Sequence, residues 1–501
     1  MRALLSTLIL LAAAAAGPRA GAQLTTFHAF NNGDGTNPAA ALVRGTDGSL
    51  YGVAQSGGDN NSGTVFRLTP SGALTVLHSF ADIDDSGFNA DGAAPTAALA
   101  AGGDGSFYGV AQGGGAAGFG TVFRVGTDGG FTTLYSFKGT DGNNPVGALV
   151  RGADGSFYGT TLNGGTNDAG TVFRVTTDGA LTTLASLASA GGDAPAGGLT
   201  AGDDGNLYGT TRYGGSNGLG TVFRVSTDGA LSTIYSFNAA SGTNPTGTLA
   251  KGADGAFYGA APSNGANGRG TVFRVTSDGG FTVLRAFAST DNATYPGAVA
   301  FGADGSLYGA ATGGGTKNRG AIFRLTTGGA FTNLYTFTGG IDGGYPQAAP
   351  VTGADGNLYG TTSDAGADRA GTAYRLATGA HPAFFIGEVA LSNGVYYLAF
   401  PGNGNLFGYY SYLSDPRYVY HFDLGYEFVF DAADGKSGVY LYDFKSGDFF
   451  YTSPSFPFPY LYNFSLNAVL YYFPDPGHPG RYNTNGTRYF YNYSTGQIIT
   501  R

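Results

Sequence analysis

The chain has no cysteine and no tryptophan, a single methionine and only two glutamates, Glu388 and Glu427. Without cysteine there is no disulfide framework, no thiol nucleophile and no thiolate metal site. Without tryptophan the strongest aromatic stacking platform is missing. Charged residues make up only 12% of the 501 positions, and the net charge is −9. An acidic chain of this kind is a poor general binder of nucleic-acid phosphates, so no nucleic-acid partner is expected. The five histidines, at 28, 78, 381, 421 and 478, are scattered and give no pair at metal-ligand spacing. After the apolar stretch Leu4–Ala16 no segment is apolar enough to cross a bilayer as a helix.

What the chain has is repetition. Phe-Arg recurs at 66–67, 123–124, 173–174, 223–224, 273–274 and 323–324, and Tyr374-Arg375 is a seventh copy; the steps are 57, 50, 50, 50, 50 and 51 residues. A period near 50 with four short strands per unit is the pattern of a propeller blade. The 90 glycines fall at fixed offsets within the unit and so mark turns.

The third unit shows the plan. Pro145–Val150 is a short strand of small side chains, suited to the crowded axis of a ring. Gly152-Ala-Asp-Gly155 turns into Ser156–Thr160, a Gly/Asn-rich loop leads to Gly170–Val175, and Asp178-Gly179 is a hairpin signal before Leu181–Leu184. The seventh unit stops after Leu376 without an outer strand, while Leu24–Phe30 resembles the outer-strand segment Phe131–Phe137 and has no unit of its own. Docking the one on the other closes a ring and removes two exposed sheet edges. The expected fold is all-β: a seven-bladed β-propeller over 23–380, closed by an N-terminal outer strand, then a small aromatic-rich antiparallel β domain over 381–501.

Gly-Ala-Asp-Gly-x-Phe-Tyr-Gly-Thr-Thr followed by Gly-Thr-Val-Phe-Arg-Val-x-x-Asp-Gly resembles the GloVer tandem repeat of secreted bacterial proteins termed choice-of-anchor, over about residues 24–380. The resemblance implies an exported bacterial repeat protein, in many cases held at the cell surface. This chain departs from it in showing no legible anchor or sorting motif in Gln497–Arg501.

Export is also read from the N-terminus itself. Arg2, the uncharged run Leu4–Ala16 and the small-x-small site Ala20-Gly21-Ala22 form a signal-peptide pattern over 1–22, with the mature chain starting at Gln23. Loss of Arg2 and Arg19 takes the net charge from −9 to −11. The expected location is extracellular or at the cell surface, and the expected state a monomer.

Residues 381–501 hold 19 of the 33 tyrosines. Val395–Phe400 matches Val439–Phe444 at a spacing of 44 residues, and Asp415–Phe422 aligns with Phe458–Phe464. Alternation at Tyr418, Tyr420 and Phe422, and again at Tyr460, Tyr462, Phe464 and Leu466, points to half-buried antiparallel strands.

A residue repeated in every blade is scaffold. The recurrent Arg is expected to tie neighbouring strands through the Asp of the Gly-Ala-Asp-Gly turn, and the recurrent Tyr and Phe to fill the core. Recognition belongs to what varies, the loops between second and third strands and between outer and next inner strands, which emerge on one face. Those loops carry Arg212, Tyr213, Arg269, Lys317, Arg319, Asp368 and Arg369, cations on blades four to seven that suit an acidic glycan or polyanion. The seven-residue insertion of the second unit reads Asp82-Ile-Asp84-Asp85-Ser86-Gly87, with Asp91 further on. Asp82, Asp84, Ser86 and Asp91 are candidate calcium ligands, although no Glu stands at the twelfth position.

No catalytic set is evident. Gly214-Gly-Ser-Asn-Gly218 matches a nucleophile motif literally but lies between strands, and the propeller holds no glutamate. The reading is a secreted, non-enzymatic scaffold that binds extracellular glycan or protein. A polysaccharide-active lyase or hydrolase on the propeller, and a structural cell-envelope component, are the alternatives.

Overall fold

The computed structural model describes residues 23–377, apart from 70 and 354, and beyond them the backbone of strands between 388 and 500. Residues 1–22, read as a signal peptide, lie outside the described residues. The chain divides into two compact units, Gly21–Thr378 and a unit that includes Gly379–Arg501.

The first unit is a ring of seven four-stranded antiparallel sheets. In the first blade the inner strand is Val43–Arg44, the second Leu50–Ala54, the third Thr64–Leu68 and the outer Leu74–Ser79. The second strand is buried at every position, and the third at all but its arginine. Both lie between neighbouring blades and are covered on two faces, which is why they read as nearly continuous apolar runs. The outer strand is half-exposed, and the two-residue inner strand has one half-buried and one exposed position.

In most blades the inner strand is only two residues long, as at Val150–Arg151 where the sequence suggested Pro145–Val150, and the small residues just before it are required by contact. A β-carbon on Gly197 would stand 2.6 Å from the carbonyl oxygen of Gly247 on the next blade, and one on Gly247 would stand 2.5 Å from that of Gly297. The inner backbones therefore meet directly, and Thr160 Oγ1 adds a bond of 3.0 Å to the Gly197 carbonyl. Away from the axis the junctions are aromatic. Tyr51 stacks on Phe107 at 4.2 Å and Tyr108 on Phe157 at 4.1 Å, each on the following blade.

The ring closes through its N-terminus. Gln23–Ala29 pairs antiparallel with Thr372–Ala377, from Gln23 opposite Ala377 to Ala29 opposite Thr372. It supplies the outer strand that the seventh unit lacks. It even carries the bulge of the other outer strands: the register skips Phe27 here, as it skips Leu77 in blade one and Leu184 in blade three.

The second unit is an eleven-stranded antiparallel meander in chain order, from Glu388–Ala390 to Gln497–Thr500. The side-chain alternation read for 418–422 and 460–466 lies outside the described residues.

Candidate functional site

A blade's four-stranded meander sends its first and third turns to one face of the ring and its remaining connections to the other. The first face carries the repeated cluster. On the second strand Tyr51 lies opposite Arg67 on the third, and both reach the turn aspartate Asp47: the phenol donates to Oδ2 at 3.0 Å and the guanidinium lies 2.8 Å from the same oxygen. Asp47 Oδ1 accepts the Ser49 amide at 3.1 Å, which shapes the turn. The ion pair recurs as Arg124–Asp104, Arg174–Asp154, Arg274–Asp254 and Arg324–Asp304 at 2.7–3.0 Å. The tyrosine–aspartate bond recurs in all seven blades, through Tyr359 to Asp355 at 2.8 Å in the last.

The electrostatics follow from this geometry. Burial pushes the Asp47 carboxyl up, but bonds from Ser49 and Tyr51 and the nearby Arg67 outweigh it and hold it below the ordinary carboxylate range. Burial, joined by the bond to Asp47, pushes the Tyr51 phenol up to about 12. In five of the seven blades the guanidinium is matched within its own blade and ties neighbouring strands, as its recurrence suggested; no such ion pair is formed by Arg224 or Arg375 among the described residues. Clefts on this face are lined by the same groups, such as Asp254, Tyr258 and Arg274 between blades five and six.

The opposite face holds the variable loops, and these are pinned at their bases. The outer strand of blade one places His78 Nε2 at 2.8 Å from Asp91, whose carboxylate also accepts the Ala81 amide at 3.1 Å. His28 meets Asp34 at 2.9 Å, Tyr335 meets Asp342 at 3.0 Å, and Arg285 pairs with Asp291. The candidate calcium ligands are thus divided. Asp91 is turned toward His78. Asp84 Oδ1 accepts the amides of Ser86 and Phe88 at 2.9 Å and closes its own turn. Asp82 and Ser86 are exposed, and among the described residues no three His, Asp or Glu side chains converge as a metal-holding group.

The candidate cations separate into two sets. Lys317, Asp368 and Arg369 are exposed on loop tips, Arg369 with φ of 58°. The other arginines each lie over a tyrosine. Arg212 lies 5.3 Å from the ring centre of Tyr213, a residue 43% exposed. Arg269 lies 5.6 Å from the ring of Tyr295 and donates Nη1–H to its hydroxyl at 2.5 Å. Arg319 lies 5.1 Å from the ring of Tyr345 and 3.2 Å from the carboxylate of Asp364.

Tyr295, Tyr345 and Asp364 are the partners that sequence reasoning missed. Each tyrosine begins the next blade, and its amide donates to the carbonyl of the arginine: Tyr295 to Arg269 at 2.9 Å and Tyr345 to Arg319 at 2.7 Å. The pairs therefore stand at the junctions of blades five with six and six with seven. A signal was present in the chain. The residue before the blade's first proline is Asn37, Asn144 or Asn244 in three units and Ala94 or Ala194 in two, and all hold positive φ. Tyr295 and Tyr345 hold the same conformation, at φ of 60° and 56°. A bulky side chain is rare there and marks a site held by its surroundings.

These features define a closed seven-bladed propeller built from tandem repeats, with one uniform and one variable face. The chain belongs to the family of the Gloeobacter/Verrucomicrobia repeat, whose model matches residues 16–152, 127–300 and 253–456. No curated protein matches it. Among solved structures it is similar to a catalytically inactive virginiamycin B lyase from Staphylococcus aureus, with 18% identity over 71% of this chain and 99% of that one, at a TM-score of 0.48. It is similar to the extracellular domain of a hybrid two-component system from B. thetaiotaomicron, with 10% identity over 96% and 78% of the two chains, at 0.48. A gluconolactonase from Xanthomonas campestris shares 14% identity over 71% and 89%, at 0.36. At these identities no activity passes from them to this chain.

Proposed function

We propose that the protein is an exported, non-enzymatic binding scaffold whose variable face recognises an acidic glycan. The observation that carries this reading is the set of arginine–tyrosine pairs at Arg212–Tyr213, Arg269–Tyr295 and Arg319–Tyr345, on blades four to seven of an otherwise acidic chain. Aromatic faces suit the C–H faces of sugars, and guanidinium groups suit their carboxylates. The segments that enter the inner strands meet backbone to backbone at glycines such as Gly197 and Gly247, which supports binding over catalysis at the centre. The loop bases are fixed by aspartate ties such as His78–Asp91, so the face is preorganised and little ordering cost falls on association.

A glycan array probed with the full mature chain tests the reading. Retention on uronate-bearing glycans that weakens with salt is expected. A blank array, or release of new sugar ends from a polysaccharide, overturns it in favour of a structural or an enzymatic role. Mass spectrometry of the exported protein should find Gln23 as its first residue.

A further inference from the structure

The two junction pairs differ in one respect, and that difference selects a site. Blades six and seven each place a residue at or just after the end of their second strand opposite the segment that enters the blade. In blade seven Asp364 bridges Gly344, and its carboxylate reaches Arg319. The equivalent pair in blade six is Gly313 opposite Thr294. No larger residue fits there without rearrangement, because a β-carbon on Gly313 would stand 2.5 Å from Thr294 Oγ1 and 2.9 Å from Tyr295 Cδ2. Arg269 is exposed, and among the described residues its side chain has only the neutral Tyr295 hydroxyl as a hydrogen-bond partner. The two junctions thus show one arginine–tyrosine pair with a carboxylate in place and one that lacks it.

We infer that Arg269 and Tyr295 form a binding site for the carboxylate of a uronic-acid residue, and that Asp364 shows at Arg319 the ion pair the sugar makes at Arg269. The guanidinium is held over the Tyr295 ring and tied to its hydroxyl, so its planar fork is set before a ligand arrives. The strained backbone of Tyr295 is what places the ring beneath it. Tyr213, exposed on blade four, offers a stacking surface to a sugar further along the chain. Arg319 is already neutralised, so of the two junction pairs only Arg269–Tyr295 is open to a ligand carboxylate in the wild-type protein. This deepens the proposed function and rests on its choice of glycan over protein.

Titration calorimetry of the full chain with trigalacturonate, and with a neutral galactose trimer as control, tests the inference. One equivalent of trigalacturonate is expected to bind and the neutral trimer is not. Arg269→Gln should abolish binding, and Arg269→Lys should weaken it at least tenfold. Asp364→Asn, nearly isosteric, should release Arg319 and raise the stoichiometry to two, a gain that misfolding cannot mimic. Unchanged binding in Arg269→Gln overturns the site, as does a stoichiometry of one in Asp364→Asn. Equal competition by a glutamate-rich peptide overturns the sugar in favour of a protein ligand. If the array shows glycans bound as well by Arg269→Gln as by wild type, the scaffold reading stands and this site falls. If the array is blank while trigalacturonate binds through Arg269, the site stands and the broader reading needs revision.

Discussion

The carbonyl oxygen of Phe27 stands 2.3 Å from the point a β-carbon on Gly72 would occupy. Phe27 is the bulged residue of the closing strand, and Gly72 is in the hairpin of blade one. The same contact joins Gly179 to Leu134, Gly229 to Leu184 and Gly279 to Ile234 at 2.4–2.5 Å. The N-terminal strand thus reproduces the ordinary blade junction, and closure rests on the same fit as every other interface. Gly72→Ala should therefore cost clearly more than Gly48→Ala, which has similar positive φ but nothing within 4 Å and should cost about 1 kcal/mol. Urea midpoints of the two variants check this; equal losses would mean that the closing junction is loose.

Tyr374 replaces the phenylalanine of the other six repeats. It is fully buried, and its hydroxyl has no hydrogen-bond partner among the described residues. Burial alone drives its phenol far above the ordinary tyrosine range. Removing an unpaired buried hydroxyl relieves its desolvation, so Tyr374→Phe should stabilise the protein by about 1 kcal/mol. A fall in melting temperature would show that the hydroxyl has a role the fold alone does not require.

The repeated clusters set the pH limits of stability. In Asp47, Asp104, Asp154, Asp204 and Asp254 burial raises the carboxyl, but donors from the turn, tyrosine and, where present, arginine lower it further, and the net direction is down. A group lowered in the folded state adds stability above its unfolded pKa, near 3.9, and loses it as pH falls below that value. The tyrosines act at the other end. Burial, helped by the aspartates, raises Tyr51, Tyr208 and Tyr359 to about 12. Their contribution is complete below about pH 10 and is lost as pH rises toward 12. Urea midpoints should be flat between pH 5 and 9 and fall on both sides, and Asp154→Asn should shallow the acid limb. The Asp47–Arg67 and Asp154–Arg174 pairs are about one-third exposed and Asp104–Arg124 more so, so solvent keeps each effect modest.

Much of this was legible because it is repeated. Phe66 and its copies, the Asp47–Arg67 pair and the orphan strand, read as Leu24–Phe30 and found at Gln23–Ala29, follow from aligning seven units. The axial glycines were legible as small residues, but that Gly197 meets Gly247 backbone to backbone needs the ring itself. The bulge at Leu77 and its copies leaves no compositional mark. Arg269 and Arg319 were found as deviations from the repeat, yet their partners were not, because Tyr295 and Tyr345 are 26 residues further on and belong to the next blade. Asp91 was assigned to its own loop, whereas an outer-strand histidine claims it. Apart from the bulge, which lies within a blade, the missing information was contact between units, which periodicity within a unit does not record.

Arg369 separates stability from recognition. It sits at a loop tip with φ of 58°, where Asn61, Asp168 and Asn318 stand in other blades. Those side chains accept the amides of Gly57, Gly164 and Gly314 at 2.9–3.0 Å, a bond arginine cannot accept. Arg369→Asn should stabilise the protein by about 0.5–1 kcal/mol, read as a higher urea midpoint. A simultaneous loss of glycan retention would place Arg369 in the binding face; unchanged retention would leave it as an ordinary tip residue.

The inserted loop of the second unit offers the last test. Calcium bound by Asp82, Asp84, Ser86 and Asp91 has to draw Asp91 away from His78 and the Ala81 amide. Asp84 has likewise to give up the amides of Ser86 and Phe88. Those bonds hold the loop without an ion, so Asp91→Ala should lower the melting temperature in the presence of chelator as well as in its absence. His78→Phe, which keeps the stack on Phe131 at 3.6 Å but loses the bond, should have a smaller effect in the same direction. A melting temperature that rises with added calcium in the wild type, and not in Asp84→Asn, would establish the loop as a metal site and Asp91 as its movable ligand.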